Sequence, residues 1–103
     1  MEIIEKVSDK IEKEIDSAED YVKCALEIKD ERSQLAESFF KIASEKINWI
    51  NLLHTQIVAI IEEYRKKEGE PPEPMKVLYN ILHRKHIEHV AAVKGMLALY
   101  KES

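Results

Sequence analysis

The residues best suited to chemistry in this 103-residue chain are its four histidines, His54, His83, His86 and His89. A neutral imidazole carries the lone pair that transition metals accept, and it titrates near neutrality. His54 falls in an otherwise apolar row that includes Ala43, Ile47, Ile50, Ile57 and Ile61 at three- and four-residue spacing, so it is expected to point inward. Counting back from Gly69 and Pro71 sets it level with about residue 87, in the layer of the other three. His83, His86 and His89 are three apart, and each turns by about 60° from the last on a helix, so they cannot all face inward. His86 is the strongest inward candidate, with His89 or His83 second.

Glu14 is the acidic counterpart, set beside Ile11, Ala18 and Tyr21 where an unpaired carboxylate is costly to bury. With His54, His86 and His89 it makes a candidate set for iron, zinc or manganese. Plainer readings compete with this one: a carboxylate at the edge of the apolar row reaches water, and a structural histidine bonds a carbonyl or Glu88. Counting from the first turn brings Lys46 and Trp49 near Glu14. A Glu14–Lys46 ion pair would then replace a cation by charge compensation, with Trp49 filling the volume of a ligand and its water. Alternatively, both residues face a contact between copies.

Other chemistry finds no support. Cys24 is the single thiol, so neither an intrachain disulfide nor a four-cysteine zinc site is available. Gly69 and Gly95 stand alone and form no phosphate loop. The pairs Glu62–Glu63 and Glu12–Glu14 read as solvated helix surface rather than the paired acids of hydrolysis. No catalytic or cofactor-binding residues are expected, and the reading leans against an enzyme.

These side chains must be positioned by helices. Apolar residues at Ile4, Val7, Ile11, Ile15, Ala18, Val22, Ala25 and Ile28 make one stripe. Ala36 to Tyr64 and Met75 to Tyr100 make two more. The rhythm fails at Lys29–Ser33, where Asp30 or Ser33 is expected to cap the second helix. Gly69 and Pro71, Pro72 and Pro74 stop it and turn the chain. The expected fold is all-α, one domain over 1–103, with helices at about 2–28, 34–67 and 74–100. Short connections make sequential helices neighbours, giving an up-down-up array of three long antiparallel helices.

With 16 basic and 20 acidic residues interleaved, the net charge is −4, which gives no footprint for nucleic acid. The longest apolar run, Ile57 to Ile61, is far short of a membrane span. The N-terminus carries no secretory pattern, and a cytoplasmic location with no membrane contact is expected. Helix two has a second apolar flank at Phe39, Ile42, Trp49, Leu53 and Ile60, which three helices cannot cover. A homodimer or higher homo-oligomer is therefore expected, with Phe39, Trp49, Leu53 and Ile60 at its interface. A separate protein partner on the same flank is the other possibility.

The stretch from Glu12 to Tyr64 resembles the ferritin-like, rubrerythrin-like helical superfamily. There a helix-one glutamate ligand precedes a tyrosine by seven residues, as Glu14 precedes Tyr21. The next helix of such proteins carries an acid and a histidine three apart that bind iron. In the matching run from Phe40 to Trp49, Lys46 and Trp49 hold those places, so the di-metal motif is degenerate. The resemblance implies a ferritin-like fold completed by association. The leading expectation is a non-catalytic protein acting through self-association or protein interaction, with no cofactor required. The alternative is a transition-metal-binding or redox protein with a rearranged Glu/His site.

Overall fold

Residues 2 to 68 contain neither glycine nor proline, so only side-chain rhythm and a short polar break can separate the first two helices. The computed structural model describes residues 2–102. Its helices are α1 (Glu2–Ile28), α2 (Ser33–Glu68) and α3 (Glu73–Glu102), and no strand occurs among the described residues. The all-helical reading and the three segments are thus observed, with ends within two residues of those expected.

Between α1 and α2 the Ile28 carbonyl accepts from the amides of both Glu31 (3.1 Å) and Arg32 (2.8 Å), which closes the first helix without glycine. The expected side-chain cap from Asp30 or Ser33 is absent. Arg32 occupies the cap position with no side-chain hydrogen bond, and Ser33 already lies inside the helix. At the other end of α2, Gly69 takes φ 81° while its amide donates to Arg65 at 3.0 Å. A side chain there would strain the backbone, so glycine is the residue that stops the helix. The Pro72 carbonyl then receives the amides of Met75 and Lys76, and Pro74 sits in the first turn of α3, where its missing N–H costs nothing.

The core is one row on α1 meeting shorter rows on the other two helices. Ile4, Ser8, Ile11, Ile15, Ala18, Val22 and Ala25 are buried on α1, at alternating four- and three-residue steps. Ser8 therefore replaces the expected Val7 inside, and Val7 is only half-buried. Ala36, Ala43, Ile47 and Ile50 face them from α2, and His86, Val90, Val93 and Tyr100 from α3. Each fully buried isoleucine contributes about 1.5–3 kcal/mol of transfer free energy. Tyr100 closes one end, stacked on Phe40 at 4.7 Å with the Lys29 ammonium 4.2 Å from its ring centre.

The packing is uneven. α1 contacts α2 most, α3 less, and α2 barely meets α3. Glu14 meets Lys46 and Tyr21 meets Phe39, so α1 and α2 pair in opposite residue order. Glu12 meets His86 and Glu19 meets His89, so α1 and α3 pair in the same order. The result is a rod 56 Å long and 19 by 18 Å across.

Candidate functional site

Where α2 and α3 meet little, a cavity of about 230 Å³ lies among the three helices, lined by Ser8, His54, Ile57, Tyr79, His83 and His86. Counting residues from the turn sets His54 in the layer of His83, His86 and His89; the rings of His83 (5.6 Å between centroids) and His86 (5.7 Å) meet it, whereas His89 lies against Asp16 and Glu19. The Nε2 atoms of His54 and His86 are both buried without a hydrogen bond. Burial holds the His54 imidazole below its ordinary pKa, reinforced by His86 and His83 nearby. Burial also lowers His86, and it outweighs the opposing pull of the Glu12 carboxylate; Lys85 and His83 add to the lowering.

A stability dependence on pH follows from His54. The unfolded chain takes up a proton at this position near its ordinary value, whereas the folded chain takes it up only at lower pH. Between those values the unfolded state binds more protons, so stability decreases as pH falls. Urea midpoints measured from about pH 7.5 down to about pH 5.5 should decline, and less so in His54→Phe. A midpoint that is flat or rises on acidification in the native sequence contradicts this account.

A second polar region lies along the α1–α3 seam. Glu12, Asp16 and Glu19 each follow a core residue (Ile11, Ile15, Ala18) by one position, so they line one edge of the buried row. Glu12 Oε2 lies 3.2 Å from His86 Nε2, too poorly aligned for a hydrogen bond, and its Oε1 lies 3.3 Å from the Lys85 ammonium. His89 Nε2 lies 3.0 Å from Glu19 Oε2 and its Nδ1 lies 4.0 Å from Asp16 Oδ1. The His89 hydrogen bond holds the Glu19 carboxyl below its ordinary pKa against the effect of desolvation, with help from Lys23 at 3.3 Å. Ligand-capable atoms of Glu12, Asp16 and His89 all fall within 4.8 Å of one another.

The four residues named from the sequence as metal ligands occupy three different surroundings. Glu14 is paired with Lys46 at 3.0 Å, the ion pair anticipated by register, and lines a shallow depression with Lys10, Trp49, Leu52 and Leu53. His54 and His86 share the imidazole cavity. His89 faces Asp16 and Glu19 instead. The acids that do meet histidines are Glu12, Asp16 and Glu19, which the sequence reading left on the solvated surface or did not single out. Their signal was the four-then-three spacing, displaced by one position from the core row.

The flank of α2 that holds Lys46 and Trp49 carries a third feature. Leu35, Ile42 and Trp49 are seven apart and exposed, Trp49 at 57%. Phe39, Lys46, Leu53 and Ile60, also seven apart, are half-buried between and beyond them. Together they repeat every 3.5 residues, the period of a helix that packs lengthwise on another helix. No family model, no curated protein and no solved structure matches the chain.

Proposed function

We propose that this is a non-catalytic, ferritin-like helical protein whose three antiparallel helices work as a homo-oligomer, with α2 of one copy packed along α2 of another. The observation that carries the reading is the 3.5-residue row from Leu35 to Ile60, of which Leu35, Ile42 and Trp49 stay exposed on a single chain while Phe39 and Leu53 also touch its core. The row is self-complementary. Laid against itself in opposite directions about a two-fold axis between Ile47 and Asn48, it sets Leu35 opposite Ile60, Ile42 opposite Leu53 and Lys46 opposite Trp49. Two pairs are apolar, and the third is a cation over an indole face. Lys46 already has its charge partner in Glu14, so covering it does not strand an uncompensated charge.

The ferritin-like part of the reading rests on Glu14 and Tyr21 at seven-residue spacing. It also draws on the Glu14–Lys46 pair at 3.0 Å, since the resemblance assigns the position of Lys46 to a metal ligand that a positive charge would replace. Sedimentation equilibrium at micromolar concentration should give a multiple of the 12.0 kDa chain mass, and two copies are expected. A monomer across that range overturns the proposal. A stable complex with a different protein through the same row, in place of self-association, overturns it as well.

A further inference from the structure

We infer that Glu12, Asp16, His86 and His89 form a binding site for a divalent transition-metal ion of the zinc class between α1 and α3. This site is independent of the α2 row and does not use Glu14 or His54.

Three observations converge on it. The first is spacing. Glu12 and Asp16 are four apart on α1, and His86 and His89 three apart on α3, so each pair projects from adjacent turns of a helix. Candidate ligand atoms of Glu12, Asp16 and His89 lie within 4.8 Å of one another. A tetrahedral ion with bonds of about 2.0–2.2 Å draws its donors to roughly 3.3–3.5 Å apart. The contraction needed is within reach of Asp16, an exposed side chain on a rigid helix.

The second is the orientation of His89. An ionised carboxylate only accepts hydrogen bonds, so the 3.0 Å contact with Glu19 requires the hydrogen on Nε2. In the neutral ring this leaves the lone pair on Nδ1, 4.0 Å from Asp16 Oδ1. Two lone-pair donors at that distance repel unless a proton or a cation lies between them. A histidine fixed on one nitrogen by a carboxylate, with its other nitrogen toward acidic oxygens, is the arrangement that orients imidazole ligands in metal proteins. Glu19 is thus a positioning residue.

The third observation is His86, which lies outside the group of Glu12, Asp16 and His89 but directly against Glu12. Its side chain belongs to a residue only 2% exposed, its Nε2 makes no hydrogen bond, and that atom lies 3.2 Å from Glu12 Oε2. A buried imidazole nitrogen without a hydrogen-bonding partner is costly to maintain, and coordination would satisfy it. Two nitrogens and two carboxylate oxygens suit zinc, cobalt or ferrous iron better than calcium or magnesium, which select all-oxygen sites. Lys85 holds the other oxygen of Glu12, but its side chain is 62% exposed and can swing into water when a cation replaces it.

The probes are Zn(II) and Co(II) added separately to tag-free full-length protein, followed by calorimetry for zinc and visible absorption for cobalt. One ion per chain is expected, with the intense d–d bands of four-coordinate cobalt. His89→Gln and the double change Glu12→Gln with Asp16→Asn should each weaken binding by at least about 100-fold, and Glu19→Gln by about 10-fold. Glu14→Gln and His54→Phe should leave it unchanged. Helix content by circular dichroism is read on every variant, and His89 and Asp16 are accessible enough for their substitution to spare the fold. Overturning results are no saturable binding below millimolar metal, binding unaffected by the Glu12, Asp16 and His89 changes, or binding abolished by His54→Phe instead.

Discussion

Trp49→Glu is expected to convert the oligomer into single chains, with a dissociation constant raised by about 1,000-fold or more. In a two-fold interface each substitution occurs twice. Tryptophan side chains at the centre of an interface typically contribute about 2–4 kcal/mol each, so two of them together account for several powers of ten. Here Trp49 sits near the middle of the apolar row with 57% of its surface exposed on the single chain, and most of that surface would be covered in the proposed pairing. The new glutamate would be driven against the facing copy in low dielectric. Ile81→Glu is the matched control, because Ile81 is equally exposed but lies on α3, away from the row. Sedimentation equilibrium decides the matter. An oligomer that survives Trp49→Glu, or one that Ile81→Glu disrupts as strongly, removes α2 as the contact.

The second large effect is expected inside the chain. Ile15 is 0% exposed at the centre of the α1 row, where both other helices converge on it. Ile15→Ala removes three buried carbons and leaves a cavity that rigid helices cannot close, which costs about 2–5 kcal/mol. For a domain of this size each kcal/mol corresponds to roughly 4–8 °C in melting temperature, so a loss of 10 °C or more should be recorded by circular dichroism. Ile42→Ala, on the half-open face at 38% exposure, should cost the single chain less than about 1 kcal/mol. Both are best compared in the Trp49→Glu background, since association adds its own free energy to the folded state. Equal losses at the two positions would show that α1 is not the centre of the core.

The helices and their breaks were legible in the sequence because three-and-four spacing and the Gly69–Pro74 turn are local properties. Contacts between consecutive helices were legible for the same reason. A short connection fixes register, so counting residues from the turn brought Lys46 to Glu14 and His83 and His86 to His54. The α1–α3 seam was not legible. No connection joins those helices directly, and their relative height depends on how each settles on α2. Glu12 was consequently read as solvated surface, although it lies 3.2 Å from a buried histidine. The Val7 to Ser8 exchange has a similar origin, since either residue fits a helical stripe and only the four-then-three step of the actual row selects Ser8. Its place beside the apolar row, and then the ferritin-like resemblance, marked Glu14 as a metal ligand, and in the folded chain that carboxylate is engaged by Lys46.

The central place of α1 also bears on how the chain is made. As the polypeptide leaves the ribosome, α1 and α2 are available before α3, and they share the most extensive contact among the described helices. Their connection is short, so this hairpin can close early at small loop entropy. α3 emerges after them and can then dock along α1, bringing His86 and His89 to acids laid down some seventy residues earlier. Until α3 docks, the row Ile4 to Ala25 has only one of its two helical partners, so part of its apolar surface stays open to other contacts.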